Sequence, residues 1–574
     1  MNFETLRREL ESAGPSAVHK LYEWAERKPA RDLLYYGEED RSMTYGEFND
    51  LTNSVANFLK TNGISKGDKV SVYLYNPIVT ALAMFGIWKA GAVFSPINYN
   101  YKGRLLSYQL NDTAPKLLIT EQSRLPFIND VKSDLPGLNI VVRKPGRDEH
   151  DFTSEADRFG LDKKFQSFDF DTLLKGNTSH PDTEINYWDR ASIIYTSGTT
   201  GAAKGVVQSH RWIAQYTFTT RRVTHEDDIG YSDVPMYHIS GAYAGFARVV
   251  WTGSRIAVWD RFSPKDFWNR IRKSGSSSCA LMDVMMPWLM NAGEKPTDRD
   301  NSLKWVHMQP LPHYHNKIAK RFGFDVVTVG YGSTETGSPI GAIIDELGTE
   351  KGTPPELYRG YAKECILEKF RECGYPVLSG TDEIKKGFMG RALVLEPAIL
   401  NEHDEILGPG ECGQLAFRSR ISYGLPSGYY NQPEATLEAN RNHWLHTGDA
   451  CYRDENDIYY FVDRMGNFVR VRGENISTYQ IEDVINSHPS VEISAAFPIP
   501  ALEGEEDDLV LYVTLKNGEH LDEDALKKWI AGQMPKFMWP KYIRFSDALP
   551  QTATSKIEKY KLKELIIAEL KRMK

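Results

Sequence analysis

The stretch Tyr195-Thr196-Ser197-Gly198-Thr199-Thr200-Gly201-Ala202-Ala203-Lys204-Gly205 decides how this chain is read. The apolar run Ile193-Ile194-Tyr195 leads into it and Val206-Val207 follows, so a buried strand is expected on either side. Between the strands lie hydroxyls, glycines and one lysine, with no bulky apolar side chain. Glycines let backbone N–H groups approach an anion, hydroxyls add donors and the lysine adds charge, so the natural guest is a polyphosphate. Two other phosphate loops are excluded by spacing. Walker A needs Gly-Lys-Ser/Thr, whereas Lys204 stands between Ala203 and Gly205. The dinucleotide fingerprint needs G-x-G-x-x-G opening a helix, which does not occur here. A Ser/Gly linker is the ordinary alternative, but linkers are not framed by Ile-Ile-Tyr and Val-Val.

Outward from this loop, five further stretches carry chemistry. Pro235-Met236-Tyr237-His238 precedes the small residues Ser240, Gly241 and Ala242, which predict a void beside an aromatic–histidine pair. A packed turn with a core histidine is the competing reading. Tyr331-Gly332-Ser333-Thr334-Glu335 follows the apolar run from Val326. A tyrosine can stack on adenine, a threonine can donate to phosphate and a glutamate can hold Mg²⁺, although Ser-Thr-Glu is also the form of a helix cap. In Trp444-Leu445-His446-Thr447-Gly448-Asp449, a carboxylate after a glycine turn can accept both hydroxyls of a ribose. Asp463-Arg464 follows it beyond a short strand. Near the end, Lys556 stands on the turn Pro550-Gln551-Thr552-Ala553-Thr554-Ser555-Lys556. Taken alone, such a lysine is most simply a solvated surface charge.

In their order and spacing these stretches resemble the adenylate-forming superfamily of acyl-CoA synthetases, peptide-synthetase adenylation domains and luciferases, over roughly residues 20 to 565. The resemblance is strongest to carnitine–CoA ligase-like and fatty-acid–CoA ligase-like members. It implies an α/β fold, with a large N-terminal domain of stacked sheets (1–463), a hinge (464–466) and a small mobile α+β domain (467–574). It implies an AMP-forming acid–thiol ligase that uses ATP, Mg²⁺ and coenzyme A. The alternatives are transfer of the acyl group to a carrier protein, or a catalytically weak ATP- or acyl-binding relative. Thr196, Ser197, Gly198, Thr199, Thr200, Gly201 and Lys204 would hold the phosphates. Gln309, Tyr331, Gly332, Ser333, Thr334, Asp449 and Arg464 would surround the nucleotide, and Glu335 would be the metal ligand. Lys556 would be the adenylation lysine, acting with Thr196, Lys204, Glu335 and His238. Tyr237, His238, Gly241, Ala242, Gly330 and Ser338 would line the acyl pocket. Gly466 would be the swivel, and Arg472, Gly473 and Glu474 would border the coenzyme A tunnel.

The sequence also departs from the family. His307-Met308-Gln309 replaces a Gly/Ala-rich turn beside the adenine, Gly466 replaces Asp or Lys, and Ser555 replaces glycine. The segment from Ile340 to Lys386 is long, and its amphipathic run Tyr361 to Phe370 is read as a lid or a homodimer contact. Trp251, Met285, Met286 and Trp288 offer apolar lining for a pocket, or plain core.

With 574 residues the chain should form two or more domains. A formal net charge of -8 argues against a nucleic-acid surface. Five scattered cysteines without a C-x-x-C pair predict reduced thiols. The charged N-terminus lacks a signal-peptide core, and the longest apolar run, Ile78 to Trp88, is too short to span a bilayer. A soluble, cytoplasmic protein is therefore expected, and the resemblance implies a small carboxylic acid as its substrate. Thr44-Tyr45-Gly46-Glu47 predicts a capping box, and the helices and strands alternating from there to Thr120 predict a parallel sheet. Residues 143 to 188 are read as a polar surface excursion.

Overall fold

The computed structural model describes residues 3–196, 203–282, 285–465, 468–471, 474–500, 507–534, 536–552 and 557–572; for 468–471 and 474–477 only the backbone is considered. Two large sheets carry the first part of the chain. One has seven strands in the order Gln166–Asp169, Asn139–Arg143, Leu117–Glu121, Lys69–Tyr73, Val93–Pro96, Arg190–Thr196, Lys204–Ser209. All neighbours in it are parallel except the last pair. The other has fourteen strands among the described residues. It is parallel from Asp32–Tyr36 through Trp305–Gln309 to Val326–Ser333, then antiparallel onward from Gly337–Asp345, apart from Val377–Ser379, which pairs in parallel with that strand.

The layer between the sheets is built as its sequence dictates. Thr44 accepts from the Glu47 N–H while the Glu47 carboxylate accepts from the Thr44 N–H, and the helix Tyr45–Thr61 starts there. The helix Pro77–Lys89, apolar all round, is buried along its whole length, as a helix without a polar face must be. Asn76 starts it by accepting from the N–H groups of Ile78 and Val79.

The small C-terminal domain has its own core. Strands Val491–Pro500, Asp507–Leu515 and Tyr542–Phe545 form one sheet. The closing helix Lys559–Arg572 packs on it through Leu562, Ile566 and Leu570, while Leu565 stays exposed.

Three sequence expectations need correction. The excursion at 143–188 returns to the sheet: Gln166–Asp169 pairs in parallel with Asn139–Arg143, and Phe170 and Leu173 are buried behind it. The amphipathic run at 361–370 lies mostly in the helix Lys363–Cys373, and its apolar face is spent inside the fold and not free for a lid or a partner. Its apolar face, Ile366, Leu367 and Phe370, is covered by Trp305, Val326 and Ile343. Trp251 and Met285 with Met286 lie in two different core clusters, and Trp288 stacks on Phe262, so together they line no common pocket. No helix of the described residues is long and apolar enough to cross a membrane.

Candidate active site

The glycine-rich stretch is the turn of an antiparallel hairpin, with Thr196 opposite Lys204. Ser197, Gly198, Thr199, Thr200 and Gly201 lie outside the described residues. Lys204 directs its ammonium at the Tyr429 ring, 4.9 Å from the centroid. The Tyr429 hydroxyl donates to Glu335 Oε1 at 3.1 Å. Burial, and after it the Glu335 carboxylate, holds the Tyr429 phenol above its usual range, so it stays a donor. Tyr429 is placed by backbone pairing with the second strand of the hairpin, through Val207 N–H to Gly428 O and Tyr430 N–H to Gly205 O. It was not a candidate from the sequence. Gly428-Tyr429-Tyr430 carries no spacing signal, and its partners are 225 and 94 residues away.

Glu335 sits at the tip of a second hairpin, Val326–Ser333 with Gly337–Asp345, and not at a helix start. Side chains from behind fix the tip. Gln208 Nε2 donates to Thr334 O at 2.8 Å, Trp212 Nε1 donates to Glu335 O at 3.0 Å, and the Thr336 N–H donates to Ser333 Oγ at 3.1 Å.

Four residues before Glu335, the Tyr331 hydroxyl donates to Asp449 Oδ2 at 2.5 Å, and its ring stacks on Phe417. Asp449 is 3% exposed and faces Arg464 across neighbouring strands, with Nε 2.9 Å from Oδ1. Gly448, with φ of +74°, makes the left-handed step that turns Asp449 inward. One hairpin thus joins Lys204 and Tyr429 at one end to Asp449 and Arg464 at the other.

Strand alternation settles the bulky His307-Met308-Gln309. Met308 is fully buried in the core behind the strand. On the other face His307 Nε2 meets Gln309 Oε1 at 3.3 Å and Nδ1 meets Thr328 Oγ1 at 3.2 Å. Burial lowers the His307 pKa, so the ring is neutral, with its proton on Nε2.

The acyl-side candidates separate into two groups. His238 Nδ1 accepts the Ser240 N–H at 3.2 Å, which puts the proton of a neutral ring on Nε2. Tyr237 packs edge-on against Tyr99. The void expected at Gly241 and Ala242 is filled. A methyl on Gly241 would meet Pro235 O at 2.5 Å, and Ala242 is fully buried. Gly330 likewise opens no room beside Tyr331, because Ile340 O stands 2.4 Å from where its Cβ would be. Gly332 is held as closely, 2.5 Å from Gly337 O. These glycines allow backbone to approach backbone. Ser338 stays half-buried on the second strand of the hairpin.

In the small domain, Gly466, Arg472, Gly473 and Lys556 lie outside the described residues. Glu474 opens a strand opposite Val471. Around Lys556 the turn is closed by a bridge between Gln551 and Ile557 and by the Glu558 N–H donating to Pro550 O at 2.8 Å. Asp463, the last residue before Arg464, caps the helix Thr478–Asn486 by accepting from the Thr478 N–H at 2.8 Å. On that helix Asp483 lies 3.3 Å from Lys386 Nζ and 3.5 Å from His313 Nδ1, both of the large domain. Burial pushes the Asp483 pKa up, but His313 and Lys386 outweigh it and leave it lowered. The pair is a third exposed or more on both sides, which limits it to about 1 kcal/mol or less.

Comparison with known proteins agrees with this arrangement. A protein-family model described as AMP-binding enzyme matches residues 21–430, and one described as AMP-binding enzyme C-terminal domain matches 480–556. The chain belongs to the AMP-binding enzyme family. It is similar to the crotonobetaine/carnitine–CoA ligase of Proteus mirabilis (strain HI4320), 28% identical over 531 residues, covering 90% of this chain and 92% of that protein. Its fold matches the anthranilate CoA ligase AuaEII in complex with anthranoyl-AMP, with TM-score 0.78 and 21% identity over 97% of this chain and 98% of that one. It also matches the O-succinylbenzoate coenzyme A synthetase MenE of Bacillus subtilis in complex with ATP and magnesium ion, with TM-score 0.72 and 22% identity over 96% and 99%. The sequence-based recognition and fold class hold: a large α/β domain followed by a small one, in an ATP-handling enzyme family.

Proposed function

We propose that this chain is an AMP-forming acid–CoA ligase. The observation that supports it best is the hairpin joining a buried carboxylate–arginine pair, Asp449 with Arg464, to the Lys204–Tyr429–Glu335 set. Tyr331 stands four positions before Glu335, so one hairpin offers a ribose partner at one end and phosphate partners at the other. Asp449 accepts the ribose hydroxyls. Lys204 and the loop before it neutralise the β- and γ-phosphates. Glu335, a hard carboxylate oriented by Tyr429, suits Mg²⁺, which when bound supplies further charge neutralisation at the phosphates.

In the first half-reaction the substrate carboxylate attacks the α-phosphorus of ATP; the new C–O–P linkage forms as the bond to pyrophosphate breaks. The enzyme's part is positioning and charge stabilisation, and Lys556 sits at the attacked phosphate. In the second, the coenzyme A thiol attacks the acyl carbonyl, AMP leaves with the bonding electrons, and the thiol proton passes to water or the departing phosphate. Neutral His238, fixed by the Ser240 N–H, closes the acyl side against water.

The small domain turns about residues 464–466 between the two steps, withdrawing Lys556 and presenting the 472–474 loop. Its anchor on Asp463 and the weak Asp483 contact with Lys386 and His313 allow that turn. Coenzyme A, and not a carrier protein, is the acceptor we favour.

Pyrophosphate release from Mg·ATP, measured over a panel of carboxylic acids with and without coenzyme A, tests the reading. Release that depends on one class of acid and gains turnover with coenzyme A is the expected result. ATP binding with no release over the whole panel would leave a nucleotide-binding protein.

Tyr429→Phe keeps a ring over Lys204 but removes the donor to Glu335. It is expected to raise the Mg²⁺ concentration for half-maximal release about five-fold, from loss of a hydrogen bond of about 1 kcal/mol. An unchanged Mg²⁺ titration would detach Tyr429 from the metal ligand.

A further inference from the structure

One buried side chain beside this site has no role in what precedes. Gln215, on the helix His210–Arg222, is 2% exposed, and among the described residues neither its Oε1 nor its Nε2 has a hydrogen-bond partner. A buried carboxamide with both ends unpaired is costly, and native cores retain few of them. Arg211 and Arg221 of the same helix also carry unpaired nitrogens, but each is otherwise engaged. Arg211 stacks on Tyr187, and Arg221 bonds Ala214 O and stacks on Trp251. Gln215 has no such compensation.

Its position gives the reason. Trp212, three residues earlier, holds the carbonyl of Glu335. Three residues of helix advance ~4.5 Å along the axis, so Gln215 stands nearly one turn beyond the tryptophan that holds Glu335. There it lies against Gly337, whose φ is +72°. A methyl on Gly337 would stand 2.7 Å from Gln215 Oε1 and 3.5 Å from the Tyr216 Cβ. Ser338, an acyl-side candidate, is the next residue. The neighbouring Tyr216, half-buried, stacks on Trp212 and directs its hydroxyl to Ser240, which lies 3.1 Å from His238 Nδ1. The helix packs on both the strand Gly337–Asp345 and the π-helix Ser240–Ala247. Gln215, Tyr216, Ser240 and His238 therefore follow one another along one side of the acyl region, and none of them carries a fixed charge.

We propose that Gln215 determines acyl specificity by reading a neutral hydrogen-bonding group, a hydroxyl or carboxamide, on the carboxylic acid. This rests on the ligase reading above. A carboxamide offers one acceptor and two donors, so its partner both donates and accepts. A hydrocarbon chain, or a quaternary ammonium group, can do neither and leaves Gln215 unpaired. Sites built to hydrogen-bond a substrate reject the analogue that lacks the group far more strongly than apolar pockets reject a missing methylene.

The test pairs hydroxy acids with their methyl isosteres: 4-hydroxypentanoate with 4-methylpentanoate, and 3- and 4-hydroxybenzoate with the corresponding methylbenzoates. Pyrophosphate release and the acid-dependent rise in melting temperature with ATP present are read for the full-length enzyme and for Gln215→Leu and Gln215→Asn. The wild type is expected to prefer a hydroxy acid over its isostere by at least about 100-fold in kcat/KM. Gln215→Leu should abolish or reverse that preference, and Gln215→Asn should keep it at reduced rate.

A preference unchanged in Gln215→Leu, or wild-type preference for the methyl isostere in every pair, overturns the assignment. Hydroxy-acid binding that is lost in Gln215→Leu, in a protein that never releases pyrophosphate, upholds Gln215 as the selector and overturns the ligase reading instead. Neither binding nor release with any acid overturns both.

Discussion

Lys556→Ala is expected to lower acid-dependent pyrophosphate release by about 10²–10³-fold, the usual cost of removing one preorganised donor from developing negative charge. ATP affinity should change little, because on the proposed reading Lys204, Glu335 and Asp449, all of the large domain, hold the nucleotide without it. The turn that carries Lys556 is closed by the Gln551–Ile557 bridge. Two residues past this bridge, Lys559 is tied to Glu482 at 2.8 Å, on the helix capped by Asp463. The residues flanking the loop are thus tied down without help from Lys556, and alanine should remove the charge without disturbing them. The thioester step supplies the control. Given preformed acyl-adenylate and coenzyme A, the variant should form thioester at close to the wild-type rate, since the proposed domain turn withdraws Lys556 before that step. Equal loss in both half-reactions, or none in the first, would remove Lys556 from the chemistry.

The second large effect concerns Asp449. Its carboxylate is buried between the Tyr331 hydroxyl and the Arg464 guanidinium. Asp449→Asn preserves the shape but turns an acceptor-only group into one with an NH₂. That NH₂ must face either Arg464 or a ribose hydroxyl, while Arg464 loses its counter-charge. Losing hydrogen bonds to a charged acceptor costs about 1.5–3 kcal/mol each, so KM for ATP should rise by roughly 100-fold. At saturating ATP, kcat should fall much less, because this contact holds the substrate and the transition state alike. Initial rates over a wide ATP range separate the two parameters, and a melting curve checks that the fold survives. An unchanged KM for ATP would place the ribose elsewhere.

Much of this site was legible because its signals are local. The hairpin around Thr196–Lys204 follows from apolar strands on either side of a glycine–threonine turn, and the capping box at Thr44–Glu47 follows from four residues. Asp449 and Arg464 are neighbours across adjacent strands, so motif order alone brought them together. The glycines misled. Gly241 and Gly330 read as room for a substrate, yet each is small because a backbone oxygen stands within 2.5 Å of where its Cβ would be. An absent side chain looks the same in a sequence whether a ligand or a carbonyl takes its place. The amphipathic run at 361–370 misled for a related reason: its apolar face was evident, but not that Trp305 and Ile343 cover it.

The sequence by itself determined the α/β architecture of a large and a small domain and the family, because turn chemistry, strand alternation and motif spacing are properties of short segments. Only the tertiary structure decided which groups meet. It brought Tyr429 between Lys204 and Glu335, turned Met308 into the core and His307 away from it, and left Gln215 buried without a partner. The physical reason is that a polar side chain's partner is set by packing between segments far apart in the chain. A carboxamide that is solvated, satisfied or waiting for a substrate is written with the same letter.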